Sequence, residues 1–425
     1  MSDDLSPSRP APAPEPIQAG DPAGPLAGLR VVELAGDWSP MAGKLLADMG
    51  ADVVLVEPAG GHHTRGYEPF WHDEPDPEHS LWWWAYHTSK RGIDLDLATD
   101  AGRDRLLNLV RTADVFLESE MPGRLASLGL NDALVWGANP GLIWTSITTF
   151  GLGDERSRQP ATDLTHMAGA GPVWMCGYDD HSLPPVRGEG GQAMNVGSVQ
   201  AVNATLAALF ARPRGGGGQR IDVSVHAALN VSTETATYEW LTMGSTVMRQ
   251  TGRHASAAPT LPTQIGAADG RWVTTGFPPR HLKDIEALLG WLEDLGLDDS
   301  SEGNLLRMAV EQGGIDMTAV RTDPLAAAMY GAGREALCAI AAAIPALEFF
   351  TGAQERGLAV GVINSPEAAL SNVHIEARHA FAEVAHEDVG AVYRYAGAPF
   401  VSAVSPYRVR WRAPHVGEHN SEFGW

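Results

Sequence analysis

The stretch LRVVELAGDWSPMAGKLLADMGADVVLVEP, residues 29–58, decides the fold. LRVVEL (29–34) is a short apolar run rich in β-branched residues, the pattern of a buried strand. MAGKLLADMG (41–50) follows with apolar residues at helical spacing and a glycine stop. DVVLVEP (52–58) is a second strand-like run, ended by Pro58. Strand, helix and strand in so short a span make a βαβ unit, which calls for a parallel sheet. The connection AGDWSP (35–40) lacks the GxGxxG pattern that lets backbone approach a dinucleotide, so neither a nicotinamide nor a flavin is expected.

The alternation continues to residue 150. GIDLDL (92–97), DVFLES (114–119) and LIWTSITTF (142–150) read as strands, and Thr99 is placed to cap a helix over DAGRDRLLNLVRTA (100–113). The expected class is α/β, a doubly wound parallel sheet, whose ligands sit beyond the carboxyl ends of the strands. Those ends are AGDWSP, EPAGGHHTRG and SEMPGR. Further on, PPVRGEGGQAMNVGS (184–198) and AVNATLAALFARPRGGGGQRIDVSV (201–225) read as a polar, glycine-rich lead, a helix and a hairpin. HAALNVSTETATYEWLTMG (226–244) reads as a long helix leaving the sheet. From about 245 to 350, hairpin signals such as AADGRWVTTGF (267–277) mix with Ala/Leu-rich helices, the marks of a smaller α+β domain. The expected organisation is a disordered proline-rich tail over 1–25, a large domain over 26–230, a small domain over 245–350, and a return to the large domain over 355–425.

The chain has 425 residues, of which 44% are apolar and 19% charged, a globular balance. Its formal net charge of −22 disfavours nucleic acid and acidic membrane surfaces, both of which need a positive footprint. An anionic small ligand then requires a locally basic pocket. Cys176 and Cys338 build neither a disulfide framework nor a zinc spacing, and read as reduced thiols of a cytoplasmic protein. No apolar run reaches the ~20 residues of a membrane helix. The first 25 residues hold seven prolines and lack the apolar core and basic start of a signal peptide.

Several residue groups offer chemistry. Five histidines between 62 and 87 have no spacing that puts metal ligands on one face, so no metal is expected. Trp82–Trp84 could stack on an adenine or on an aromatic or apolar acyl group, Trp82 foremost, or be buried in the core or at a subunit interface. Lys90 and Arg91 precede a strand, where they either pair with a phosphate or form a solvated charge pair. Arg65 in GGHHTRG and Arg124 after MPG lie at strand ends, where a ligand of the sheet would sit. GGGG (215–218) lacks the GK[ST] ending of a phosphate loop and reads as a turn. No GxSxG elbow and no Cys–His pairing is visible, which argues against an acyl-serine or acyl-cysteine hydrolase.

Taken in order, the motifs resemble those of the family III CoA-transferases, the CaiB/BaiF family. They are LAGLRVVEL…LLADMGADVVLVEP, GHHTRG, SKRGIDLDL, ADVFLESEMPGRLASLGL, NPGLIWTSITTFG, QPATDLTHMAGAG, PPVRGEGG…TLAALFARPRGGGGQRIDVSV and RAPHVGEHNSE. The resemblance implies a large doubly wound domain, a small domain, and two chains threaded through each other as an interlocked dimer. It implies CoA or acyl-CoA as substrate and a small carboxylic acid as the other. By motif, the CoA contacts fall at Trp38, Ser39, Pro58, Leu95, Asp96, Leu97, Ala98, Ser119, Glu120, Met121, Ser127, Thr162 and Asp163. Many relatives carry an arginine just before the PG turn and another four residues after it, where this chain has Met121 and Ser127.

In the transferases an aspartate stands at the mouth of the helix ahead of LAAL. Its carboxylate attacks an acyl-CoA to give a mixed anhydride and CoA thiolate. The thiolate returns to form an aspartyl-CoA thioester, from which an incoming acid takes the CoA. Counting from PP (184–185) or back from LAAL (206–209) reaches the same position, and it is Met194. A thioether cannot form an anhydride, and the neighbouring Asn195 is neutral. Glu189, five residues upstream, is the nearest acid and the one candidate for a relocated nucleophile. The family's racemase branch needs the same aspartate and a His–Asp step, which here reads Thr162–Asp163. Two readings follow. The chain is the non-nucleophilic subunit of a heteromeric CoA-transferase, paired with a related aspartate-bearing subunit. Alternatively it pairs with itself, as an acyl-CoA-binding protein or an acyl-CoA enzyme of another type, racemase-like, hydrolase or lyase.

Overall fold

The computed structural model describes residues 23–153, 155–276, 278–320 and 322–424. The proline-rich stretch expected to be a tail lies, through residue 22, outside the described residues. The chain divides into two compact units. One comprises the residues through Val173, Arg187–Glu234 and Val373 onward; the other comprises Trp174–Val186 and Thr235–Asn372.

The first unit is built on six parallel strands: β1 (Arg30–Leu34), β2 (Asp52–Glu57), β3 (Arg91–Asp94), β4 (Val115–Glu118), β5 (Ile143–Thr148) and β6 (Gln219–Ser224). Their order across the sheet is β3-β2-β1-β4-β5-β6. The chain thus winds outward twice from β1, and the order reverses between β1 and β4, where open α/β sheets hold ligands. The helices of this unit are α1 (Pro40–Asp48), α2 (Leu81–Tyr86), α3 (Asp100–Thr112), α4 (Arg124–Ser127), α5 (Asp132–Ala138), α6 (Asp163–Gly169), α7 (Gln192–Ala211) and α8 (Val225–Leu229); α9 (Glu234–Met243) follows and from Thr235 belongs to the second unit.

Both faces of the sheet are covered, so its strands are apolar throughout. Alternate residues Val31, Val53, Val115, Leu117, Ile143 and Ile147 pack with Leu46 of α1, Met167 of α6 and Ala201 of α7. Their neighbours Val32, Val54, Val56, Phe116 and Trp144 pack with Leu106 and Val110 of α3 and Val135 of α5. This is the two-residue period of a strand sorted onto two cores.

The segment after α7 corrects one expectation. QRIDVS is not part of a hairpin but the edge strand β6, in parallel register with β5 from Ile143↔Gln219 to Thr148↔Ser224. The chain passes through α6 and α7 between these strands, and a crossover of that length returns a strand parallel. Gly218 permits the entry to β6, since a Cβ there would lie 2.2 Å from the carbonyl oxygen of Pro140.

The second unit holds the hairpin β7 (Met248–Gln250) and β8 (Arg253–Ser256). It also contains β9 (Gln264–Gly266), β10 (Trp272–Thr275), helices α10 (Leu282–Asp294), α11 (Ser301–Glu311), α12 (Pro324–Ala343) and α13 (Ala346–Glu355), and β11 (Val360–Ile363). β9 and β10 form the expected antiparallel pair at AADGRWVTTGF. β11 pairs with β10, so the chain rejoins the first unit at Val373, later than the sequence suggests. In the first unit the chain then adds the hairpin β12 (Phe381–His386) and β13 (Ala391–Ala396).

Candidate functional site

A cleft opens at the carboxyl ends of β1, β2 and β3 and the exit of β4. Leu34 and Ala35, Val56–Ala59, His62, Leu95–Ala98, Glu120, Arg124 and Leu128 line it. Pro58, Leu95, Asp96, Leu97, Ala98, Glu120 and Arg124, all singled out in the sequence, therefore share one wall system. The Leu95–Ala98 wall is held by an Asx turn: the Asp96 carboxylate accepts from the Ala98 N–H at 2.9 Å. The Thr99 hydroxyl donates to the Asp96 carbonyl at 2.7 Å and accepts from Gly102 N–H at 3.1 Å, capping α3. Gly102 is needed here, because a Cβ would fall 2.0 Å from the Asp96 carbonyl oxygen.

Electrostatically the cleft is mixed. Burial pushes the Glu120 carboxyl above its usual range, opposed by the Arg124 guanidinium. Burial, then the neighbouring His63, hold His62 down at about 4, so it lines the cleft as a neutral imidazole. Arg124 makes no side-chain hydrogen bond or ion pair among the described residues. Ser119 ties the rim together, its hydroxyl accepting from the Trp38 N–H at 3.3 Å. Met121 is exposed, and Ser127 donates to the Arg124 carbonyl at 2.6 Å; neither lines the cleft.

The other expected cations stand elsewhere, and this corrects their reading as a basic pocket. Arg65 is 2% exposed and bidentate to Glu57, with Nε–Oε2 2.7 Å and Nη2–Oε1 2.8 Å. It also binds Glu78 and the Pro414 carbonyl and lies 4.0 Å over the Trp83 ring. Lys90 is fully buried, with Nζ 2.8 and 3.0 Å from the two Glu33 oxygens and 3.0 Å from the Pro40 carbonyl. Arg91 opens β3 at the end of the strand away from the cleft, where it pairs with Asp52 and Glu422. The physical reason is shared: an acidic chain with cations near its sheet satisfies them internally, since an unpaired buried charge is far costlier. Ser39 is buried too, donating to the Leu34 carbonyl at 3.4 Å. Trp83 and Trp84 are core residues, while Trp82 is half-buried between Tyr67 and Tyr86 at ring distances of 5.1 and 5.0 Å.

Beside the cleft lies the mouth of α7. Gly191 occupies the N-cap with φ +61 and offers no capping side chain. Asp163 of α6 supplies the cap from outside: one oxygen accepts from the Ala193 N–H at 2.8 Å, the other meets Arg187 at 3.1 Å. Thr162 caps α6 itself, in a reciprocal box with Thr165. Met194, the third residue of α7, is 5% exposed. Asn195 donates to the Gly190 carbonyl at 2.9 Å. The Glu189 side chain is 88% exposed and, among the described residues, meets only Arg187, at 3.3 Å. One turn beyond Met194, Ser198 donates to the Trp38 carbonyl at 3.1 Å, and the Trp38 ring meets His166 edge-on at 5.0 Å. Trp38 is thus the link between helix mouth and cleft rim. The mouth offers a thioether and a carboxylate with both oxygens engaged; neither is poised for acyl transfer.

Sequence reasoning gave no role to Arg158, whose Nη2 lies 2.8 Å from where a Gly123 Cβ would stand, and neither residue lines the cleft. It lies in a polar loop, SRQPATD, with no periodicity to mark it. It also missed the capping role of Asp163, although glycines at 190–191 signal a helix start in need of a cap from elsewhere.

Comparisons with known proteins bear on the family and the fold. The model of CoA-transferase family III matches residues 26–420. Succinyl-CoA:(R)-benzylsuccinate CoA-transferase subunit BbsE of Thauera aromatica is 29% identical, over 92% of both chains. Succinate–glutarate CoA-transferase of Agrobacterium fabrum is 29% identical over 94% of both. Among solved structures, a CaiB/BaiF family protein from Brucella suis superposes with a TM-score of 0.75 at 23% identity, over 95% of this chain and 99% of that one, a likeness of fold.

Proposed function

The chain belongs to CoA-transferase family III, and on that premise we propose that it is the non-nucleophilic subunit of a heteromeric CoA-transferase. The complete enzyme moves CoA from an acyl-CoA, such as succinyl-CoA, to a small carboxylic acid. The observation that carries the reading is Met194, buried at the mouth of α7 where family members place their aspartate. In the assembly, an aspartate of the related subunit forms the anhydride and the aspartyl-CoA thioester. This chain binds CoA along Pro58, Leu95–Ala98, Glu120 and Arg124, with Trp38 at the junction towards the acyl end and Trp82 beside the acyl group. The relative BbsE, named a subunit, supports the heteromeric reading.

Exposed apolar side chains support an extensive interlocked interface. Tyr238, Trp240, Leu241 and Met243 of α9 are all exposed in the single chain, and no residue of α9 is buried. Apolar groups at such density mark a surface that a partner covers. The test is expression of this chain alone and together with an aspartate-bearing family member from the same source. The reading predicts a stable hetero-oligomer that transfers CoA, and no transfer by this chain alone. A homodimer that moves CoA between acids overturns it.

A further inference from the structure

A row of aromatic rings runs out of the cleft. His62 lines the cleft, and its ring lies 4.1 Å from that of His63. His63 is 5.9 Å from Tyr67, Tyr67 is 5.1 Å from Trp82, and Trp82 is 5.0 Å from Tyr86. The row is pinned from two sides. Asp37, in the loop after β1, accepts from the Tyr67 hydroxyl at 2.9 Å and holds His63 Nε2 at 2.9 Å, both on Oδ1. Burial, then Asp37, push the Tyr67 hydroxyl up to about 12, so it stays protonated and keeps donating. Ser80 donates to the Tyr67 carbonyl at 2.6 Å while accepting from the Trp83 N–H at 3.2 Å, which starts α2 and sets the place of Trp82. Although held in this way, Tyr67 is 39% exposed, and Leu81 beside Trp82 is 36% exposed. Fixed rings left open to solvent lose little freedom when a ligand covers them, and such rings are the usual lining of small-molecule sites. Asp37 also immediately precedes Trp38, so one loop serves both the row and the junction with the mouth of α7.

We propose that Tyr67 and Trp82 determine the class of acid that the complete enzyme accepts, an acid whose acyl group carries an uncharged aromatic ring seated on their faces. Offset or edge-on ring contacts add to what apolar burial alone supplies, so an aromatic ring is favoured over a saturated one of similar size. Asp37 is the positioning residue that aims Tyr67. This substrate class rests on the reading of the chain as a CoA-transferase subunit, and the test separates the two.

The full chain, alone and co-expressed with an aspartate-bearing family member, is titrated calorimetrically with CoA, phenylacetyl-CoA and cyclohexylacetyl-CoA. The variants are Tyr67→Leu, Tyr67→Phe and Trp82→Leu. One ring contact is worth about a threefold to tenfold change in affinity. The expected result is phenylacetyl-CoA binding about threefold or more tighter than cyclohexylacetyl-CoA in both forms. That margin should vanish in Tyr67→Leu and Trp82→Leu and persist in Tyr67→Phe, with the affinity for plain CoA unchanged throughout. Unchanged CoA affinity also shows that a variant has folded; should a leucine variant not fold, the wild-type preference still decides. Equal affinity of the wild type for the two thioesters overturns the proposal, as does a margin that survives both leucine variants. If neither thioester binds in either form, the proposal is overturned as well. A ring-dependent margin in a co-expressed pair that moves no CoA between acids leaves the aromatic site standing and refutes the transferase-subunit reading.

Discussion

The carboxylate of Asp163 on α6 accepts a hydrogen bond from the backbone N–H of Ala193 at 2.8 Å, one residue before Met194 on α7. A carboxylate therefore does stand at the mouth of this helix, but as a cap, brought from another element and clamped by Arg187. The positive end of the helix is already neutralised, so the site keeps its shape without a nucleophile.

Removing that cap has a defined cost. Asp163→Ala should lower stability by about 0.5–2 kcal/mol, the usual worth of an N-cap. Asp163→Asn keeps an oxygen for Ala193 and should lose less. Chemical denaturation of the three proteins checks the order; a wild-type midpoint for Asp163→Ala would show that α7 needs no cap.

Arg65 separates a structural from a ligand-binding role. Arg65→Ala leaves Glu57 buried without its partner, a loss of about 3–5 kcal/mol. The prediction is a sharply lower melting temperature with unchanged CoA affinity in the fraction that remains folded. The opposite pattern, intact stability and lost CoA binding, would return Arg65 to the cleft.

Gly43 in the middle of α1 should resist the usual stabilising change to alanine. A helix interior ordinarily gains about 1 kcal/mol from Gly→Ala. Here the new Cβ would stand 1.8 Å from Oε2 of Glu33, which Lys90 holds in place. Gly43→Ala should instead destabilise by about 1–3 kcal/mol, the range for overpacking. Denaturant midpoints decide the sign.

The fold was legible in the sequence to the extent that strands are buried on both faces. VVEL, DVVLVE, VFLE and IWTSIT are apolar runs with turn residues at their ends, and the structure ends them within a residue or two of the expected places. QRIDVS was misjudged because an edge strand with two charged residues carries no sign of the partner it will find. The cleft wall at Leu95–Ala98 was legible through its place after a strand. The fates of Arg65 and Lys90 were not, because their partners Glu57 and Glu33 are apparent only when strands and loops have come together. Arg158 was hidden for the same reason, its relation to Gly123 being purely tertiary.

The contact between His415 and Glu78, 2.8 Å, ties the C-terminal motif to the segment before α2 and should make stability pH-dependent. Its hydrogen bond to Glu78 raises His415 above its ordinary 6.5, despite burial. Burial alone would raise Glu78, but His415, Arg65 and the Val416 N–H bring it down to about 2. The histidine's contribution is present below its unfolded value and is lost as pH rises through the raised one. The glutamate's contribution is present above its unfolded value of 4.5 and is lost as pH falls towards about 2. Stability from this pair is therefore greatest between about 4.5 and 6.5. His415→Gln should flatten the alkaline decline in melting temperature, and an unaltered profile would assign that decline elsewhere.

The most direct measurement is the intact mass of the isolated chain after incubation with succinyl-CoA and a nucleophilic trap such as hydroxylamine. With a methionine where the reactive acid belongs, no carboxyl group of this polypeptide should acquire an adduct, while a co-purified aspartate-bearing subunit should. An adduct mapped to Glu189, Asp163 or any other acid of this chain would contradict the account.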